Sequence, residues 1–367
     1  MMCKVTCMAQ RAHVLDYLRG LLALGILFYH ICSWSLKVPP SETLLGKLGV
    51  YGVSLFYVIS GASMSISYRH IKWSVNSLRS FFIKRYFRLA PLFILSTVLM
   101  LQINYDVEYA KGMLPVKLLA NIALLFGLYD PGYTFVIGGW SIGNEFFFYL
   151  FFPLIIVMFT RSLITKILLF IAIIASMIMY GFYSMAEYTT LAKAWKIYIS
   201  PLNNIVFFIL GVSIPFIMDR VKIVNESRYA LVMLFIFSAM FVFYPATGDQ
   251  LVIVTGVNKL MLTLCCFLIC ASAYKIKSNN QGAVKKVLSY FGDISYSIYI
   301  MHGVVYVYLA KYIWPTFKAS GGGDFFTFLI IVMVPCVILV SSLTYHFIEM
   351  PFIKFAARYV KAFKREC

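Results

Sequence analysis

Charge is scarce in this chain of 367 residues, and negative charge scarcer still. Only 13% of residues are charged, with 14 Asp and Glu against 32 Lys and Arg. A soluble domain carries roughly 25% charged residues, so a soluble globular fold is excluded. No Cys/His grouping has the spacing of a zinc site, so no metal is expected. The eight cysteines form no disulfide framework. Cys32, Cys265, Cys266, Cys270 and Cys336 lie in apolar segments, while Cys3, Cys7 and Cys367 lie near predicted cytoplasmic ends; Cys3 and Cys7 read as inert thiols. A cleavable signal peptide is also missing: the first apolar stretch is too long, contains Asp16, Arg19 and His30, and lacks a small-residue cleavage site. No Gly follows the initiator Met for myristoylation, and Cys367 is not placed for prenylation. There is no internal repeat, low-complexity tract or long linker, which leaves one domain over 1–367.

What the chain has in quantity is apolar surface: 62% of residues are hydrophobic and 17% aromatic. The charges fall in clusters between apolar stretches of about 20 residues, the length that crosses a hydrocarbon core. The fold class is therefore all-α, a polytopic integral membrane protein. Candidate spans are 14–36, 49–68, 81–101, 141–160, 163–183, 200–218, 229–245, 251–274, 291–313 and 325–348. An eleventh stretch, 114–128, is short and contains Lys117 and Asn121, which suits a re-entrant or interfacial segment. Loop charge decides whether it crosses. If it does not, 22 basic residues lie on the cytoplasmic side against nine outside; if it does, the count becomes 13 against 18. Ten spans with both termini cytoplasmic satisfy the rule, in a cytoplasmic (inner) membrane. The net charge of +18 is then loop excess that faces membrane lipids, and no nucleic-acid partner is implied.

Ionisable residues inside spans are costly and mark functional candidates. Arg19 and His30 are eleven residues apart, three helical turns plus about 20°, so they project from nearly one face about 16 Å apart along the axis. Arg19 lies toward the cytoplasm, within reach of Asp16, and reads equally as a snorkelling anchor. His30 lies in the outer half. Arg85 and Arg88 stand one turn apart at a cytoplasmic helix end, where paired guanidiniums suit phosphate and also suit plain anchoring. Glu145, after Trp140, Ser141 and Asn144, enters from outside at the expected depth of His30, to orient its ring or bind an acceptor hydroxyl. His302 sits mid-span, as a cavity-lining or a core histidine. Glu349 reads as a structural partner for a loop base, and Ser60-Gly61 as a close-packing site.

Six segments in order, LDYLRGLLALGILFYH, GVSLFYVISG, IKRYFRLAP, WSIGNEFFFYLFFPL, ISYSIYIMH and YHFIEMPF, resemble the membrane-bound acyltransferase-3 family. The resemblance implies about ten membrane helices and transfer of acetyl or another short acyl group from its CoA ester, with no metal. Acceptors in the family are often sugars of lipopolysaccharide O-antigen, exopolysaccharide or capsule, sometimes peptidoglycan or small molecules; a glycan acceptor, free or lipid-linked, is expected here. It assigns catalysis to His30, support to Arg19, CoA contacts to Arg85 and Arg88, and an essential acidic role to Glu145. Ser54 departs from the Asp that many members carry there. Some members add a hydrolase-like domain, which is not expected within this chain.

The resulting expectation is an O-acyltransferase. Acetyl-CoA docks its phosphates on Arg85, Arg88 and Arg19, and the thioester reaches His30, a general base for the acceptor hydroxyl. Ser141 or Asn144 would supply an oxyanion donor, and Trp140 and His302 would line the acceptor path. The rival readings are a transporter with an intramembrane polar path and a non-catalytic scaffold.

Overall fold

The computed structural model describes residues 13–110, 112, 114–222, 224–278 and 282–366. Cys3, Cys7 and Cys367, with Lys4 and Arg11, lie outside the described residues. The described chain is helical with no strand: α1 His13–Ser35, α2 Leu44–Tyr68, α3 Val75–Ala110, α4 Leu114–Ile122, α5 Phe126–Tyr129, α6 Trp140–Arg161, α7 Leu163–Ile178, α8 Trp195–Tyr198 and α9 Pro201–Met218. There follow α10 Glu226–Val242, α11 Gly256–Lys275, α12 Ala283–Asp293, α13 Ser295–Tyr308, α14 Trp314–Ala319, α15 Phe325–Phe328, α16 Val334–Thr344 and α17 Met350–Glu366.

Eight helices among the described residues are long and apolar enough to cross a membrane. They account for eight expected spans. The other two, 229–245 and 291–313, fold as α10, of 17 residues, and as α13 continued by a π-helical turn, Leu309–Ile313. Local signals set several boundaries. Thr43 caps α2, its Oγ1 accepting from Gly46 N at 2.9 Å, so α2 starts five residues before the expected 49. The Lys47 that this adds is buried because its ammonium donates to the carbonyls of Val242 and Tyr244 at 2.7 and 2.9 Å. Ser162 and Thr165 form a capping box that separates α7 from α6. The last span does not stop at 348: a π-helical turn, Tyr345–Glu349, carries it into α17.

The segment 114–128 is not a span. α4 has nine residues, about 14 Å against a core of roughly 30 Å. Leu124 at φ 58 breaks the chain before α5. Asn121, fully buried, clamps the segment: its Nδ2 donates to Lys117 O and Tyr133 O, both at 2.8 Å, and its Oδ1 accepts from Phe135 N at 3.3 Å.

Contacts between helix ends order the bundle. Arg69, just past α2, pairs with Asp219, just past α9, at 2.6 Å, and Tyr274 of α11 donates to the same Asp219 at 2.8 Å. Lys275 of α11 pairs with Glu226 at the start of α10, and Arg79 of α3 reaches Tyr359 of α17. These residues define a basic end. At the opposite end Lys47 meets the chain leaving α10, and Tyr29, late in α1, donates to Gln250 at 3.1 Å. Centrally, α2 and α9 pack backbone to backbone. A Cβ on Gly61 would lie 2.2 Å from Phe208 O, and one on Gly211 2.0 Å from Val58 O, so only glycine fits this crossing. All five described cysteines are free.

Candidate active site

Five helices, α1, α2, α3, α6 and α13, surround a polar interior. A narrow cavity is lined by Arg19, Phe56, Tyr57, Ser60, Ser141, Glu145 and Tyr299, among others. A second, toward the basic end, adds Ser63, Ser67, Arg85, Arg88 and Tyr149. Arg19, Ser60, Glu145 and Tyr296 line both, so the two form one passage.

The charges along it differ in how they are satisfied. Glu145 Oε1 accepts from Ser60 Oγ at 2.8 Å and from the Tyr149 hydroxyl. Arg88 is ion-paired to Glu349, a carboxylate only 1% exposed, whose Oε2 accepts from Ser297 Oγ at 2.9 Å. Arg85 has no such partner among the described residues. Its guanidinium lies 5.8 Å from the ring centres of both Tyr68 and Tyr149, and its Nε is buried without a hydrogen bond. Arg19 likewise makes no ion pair or hydrogen bond among the described residues. Two unpaired guanidiniums in one polar cavity favour an anionic ligand with several oxygens.

His30 lies about 16 Å farther along α1 and lines neither cavity. It sits in a four-ring cluster built by two i,i+4 pairs, His30 and Trp34 on α1 with His302 and Tyr306 on α13. The His30 ring centre is 5.0 Å from Trp34 and 5.0 Å from His302, and Trp34 stacks on Tyr306 at 3.8 Å. Tyr299 joins this cluster to the passage. Its side chain lines the cavity and its hydroxyl donates to Gly138 O at 3.0 Å, with Ser141 Oγ 2.9 Å away. Its backbone carbonyl accepts from His302 Nδ1 at 2.6 Å. Gly138 presents that carbonyl from a left-handed turn, φ 75, that favours glycine.

Several expectations are corrected. Glu145 shares its level with Arg19, not with His30, and its partners are Ser60 and Tyr149. The reason is the segment 114–139, which covers the entrance to α6 and sets its first turn deep: a Cβ on Gly127 would lie 2.2 Å from Gly143 O. Arg19 makes no ion pair with Asp16. Arg88, expected beside Arg85 on phosphate, lines the same cavity and is ion-paired to Glu349, which is therefore the partner of a helix base and not of a loop base. Asn144 gives its Nδ2 to Ile199 O at 2.8 Å, and Trp140 packs against Trp195 and Tyr198; neither lines the passage. Ser141 does line it. Gly61 is the packing residue that the Ser60-Gly61 pair suggested, while Ser60 belongs to the passage. Tyr149, Tyr296, Tyr299 and Ser297 went unnoticed as site residues. The available signal was hydroxyl groups recurring within helices that carry an ionisable residue. Buried Ser54 lines neither cavity. No group of three His, Cys, Asp or Glu is placed to hold a metal among the described residues.

A helical bundle, among the described residues, that encloses a basic passage beside a histidine pair defines a polytopic integral membrane protein with a polar interior. The chain belongs to the acyltransferase-3 family, whose model, described as an acyltransferase domain, matches residues 13–344. A protein of Acidianus two-tailed virus, provisionally named acetyltransferase ORF330, is 27% identical over 304 residues, 78% of this chain and 80% of the viral one. O-acetyltransferase OatA of Staphylococcus aureus is 25% identical over 358 residues, 92% of this chain and 56% of that protein. A further S. aureus protein, SACOL0978, provisionally named an O-acetyltransferase, is 24% identical over 372 residues, 93% of this chain and 57% of that one. The chain thus spans a little over half the length of these staphylococcal relatives. No solved structure matches.

Proposed function

We propose that this protein is an acyl-CoA-dependent O-acyltransferase that moves acetyl from cytoplasmic acetyl-CoA to a hydroxyl of a cell-envelope or secreted glycan. O-antigen, exopolysaccharide and capsule are the acceptor classes, in free or lipid-linked form. The observation that carries this reading is the passage itself. Two unpaired guanidiniums, Arg19 and Arg85, face a cavity at the basic end, and the passage runs from them to Tyr299, whose carbonyl holds His302 against His30. In this scheme the basic end is cytoplasmic, both termini lie on that side, and the membrane is the inner one, as the excess of loop Lys and Arg favours.

The phosphates of acetyl-CoA bind Arg85 and Arg19, while Arg88 keeps the cavity wall in place through Glu349. The pantetheine arm follows Ser63, Ser60 and Glu145 toward Tyr299. The acceptor approaches from the opposite end to His30, whose free nitrogen takes the hydroxyl proton. The hydroxyl oxygen bonds to the thioester carbon, the C–S bond breaks, and the thiolate leaves as CoA thiol with that proton. Ser141 and Tyr299 offer hydroxyls near the carbonyl oxygen as its charge develops. Glu145 restrains Ser60 and Tyr149 along the path, and Trp140 and Asn144 support the start of α6 behind it. Direct transfer needs no covalent acyl-enzyme.

The test is mass spectrometry of surface polysaccharide from cells with and without the protein. A mass difference of one acetyl group per modified unit is expected, and it should vanish in H30A while that variant remains folded. An unmodified polysaccharide in both strains, or full modification with H30A, overturns the reading. Vesicle uptake of glycan without release of CoA thiol would make the protein a transporter.

A further inference from the structure

An imidazole that acts as a base needs its second nitrogen held in one protonation state, a task usually performed by a carboxylate or a backbone carbonyl. Glu145 does not do this for His30, because it lies at the level of Arg19 and is bound to Ser60 and Tyr149. Among the described residues no acidic side chain pairs with or hydrogen-bonds either His30 or His302. His302, by contrast, has its own protonation pattern set. The Tyr299 carbonyl can only accept, so the 2.6 Å contact places the proton on His302 Nδ1. In the neutral ring Nε2 then carries a lone pair. That Nε2 is buried and has no hydrogen-bond partner among the described residues, an arrangement that is costly when left unmet.

The ring nearest to that of His302 is His30, with centroids 5.0 Å apart and planes inclined by 30°. The bond between them is not made in this structure, but at this separation a turn of the His30 ring is enough to form it, because two imidazoles joined by one N–H···N bond of ordinary length have their centroids about 5 Å apart. Trp34 stacks against both rings, at 5.0 Å from His30 and 5.9 Å from His302, and is itself held by Tyr306 at 3.8 Å. The cluster thus restrains the rings without supplying any competing hydrogen-bond group from Trp34's face.

We propose that His302 is the positioning residue for His30: the Tyr299 carbonyl fixes His302 Nδ1–H, and His302 Nε2 accepts the N–H of His30, leaving the other His30 nitrogen as the base. This rests on the proposed acyl transfer. In the reaction, the acceptor O–H bond breaks toward the free nitrogen of His30, and His302 Nε2 steadies the resulting imidazolium. The proton then passes from His30 to the departing thiolate, so both histidines end as they began.

The experiment uses the full-length protein in nanodiscs with ¹⁵N-labelled histidine, of which the chain has five. Acetyl transfer is followed with acetyl-CoA and surface polysaccharide extracted from cells lacking the gene. Wild type should show His30 in a single tautomer. H302F keeps an aromatic ring but offers no acceptor. It should show both His30 tautomers and lose about 100-fold in kcat with an unchanged KM for acetyl-CoA. H302Q, which can both donate to Tyr299 O and accept from His30, should recover turnover to within about tenfold of wild type, the low end of what a supporting partner of this kind changes. A single His30 tautomer together with normal turnover in H302F overturns the proposal. If H302F does not fold, the wild-type spectrum decides, and two His30 tautomers there overturn it. Failure of the underlying reading looks different: H30A would remain active, whatever the spectra show.

Discussion

Arg85 and Arg88 occupy successive turns of one helix, yet their surroundings give them different work. Removing the Arg88 charge leaves the Glu349 carboxylate buried and unpaired, held only by Ser297. Breaking such a pair on one side costs about 3–5 kcal/mol. R88Q should therefore unfold well below wild type in a thermal melt of the purified protein. Arg85 contributes two cation–π contacts, worth about 0.5–1 kcal/mol each, so R85Q should melt near wild type while its KM for acetyl-CoA rises. The reverse order of melting points would make Arg88 the ligand and Arg85 the anchor. The pair itself was legible as Arg85-x-x-Arg88, but the division of labour was not. Glu349 lies 261 positions away, and spacing within one helix says nothing about which turn a distant carboxylate meets. The same blindness to remote partners hid Ser60, 85 positions away, as a ligand of Glu145, whereas Tyr149 is its i,i+4 neighbour on α6 and was open to a helical-repeat reading.

At the scale of elements, the segment from α4 to the start of α6 was legible in kind but not in consequence. Its length and its Lys117 and Asn121 suggested a re-entrant or interfacial segment, and loop charge favoured one that does not cross. That it covers the entrance to α6, so setting Glu145 at the level of Arg19, depends on the Gly127–Gly143 approach and the Asn121 clamp, neither of which has a hydropathy signature. N121L removes three hydrogen bonds and leaves Tyr133 O and Phe135 N to find other partners, at about 1–3 kcal/mol for each group left buried and unmet. Hydrogen exchange over 114–139 should accelerate at least tenfold, with α2 and α9 unchanged. Protection equal to wild type would mean that packing of Phe126 and Gly127, not Asn121, holds the segment. α1 and α13 show the opposite case. The common face of Arg19 and His30 followed from the helical repeat alone, whereas the meeting of His30 with His302 needed the packing of two helices far apart in sequence.

For the whole molecule, segment count and charge asymmetry made the membrane class plain, because both are sums over the entire chain and tolerate local error. The proposed orientation rests on the same asymmetry and can be tested through parity. Lys72, in the loop between α2 and α3, and Lys277, after α11, are separated by six crossings if 114–128 does not span, and by seven if it does. Both residues are exposed, and their neighbours Arg69 and Tyr274 share Asp219 at the basic end. With Cys3, Cys7 and Cys367 changed to serine, K72C and K277C should react with a membrane-impermeant maleimide only in inverted vesicles. E187C, in the exposed turn between α7 and α8, should react only in intact cells. Labelling of K72C and K277C from opposite faces would mean that 114–128 crosses after all. The proposed donor cavity and the histidine pair would then have to be reassigned to other sides of the membrane, because in the proposed scheme a donor from the cytoplasm enters where Arg85 stands and an exported acceptor arrives where His30 does.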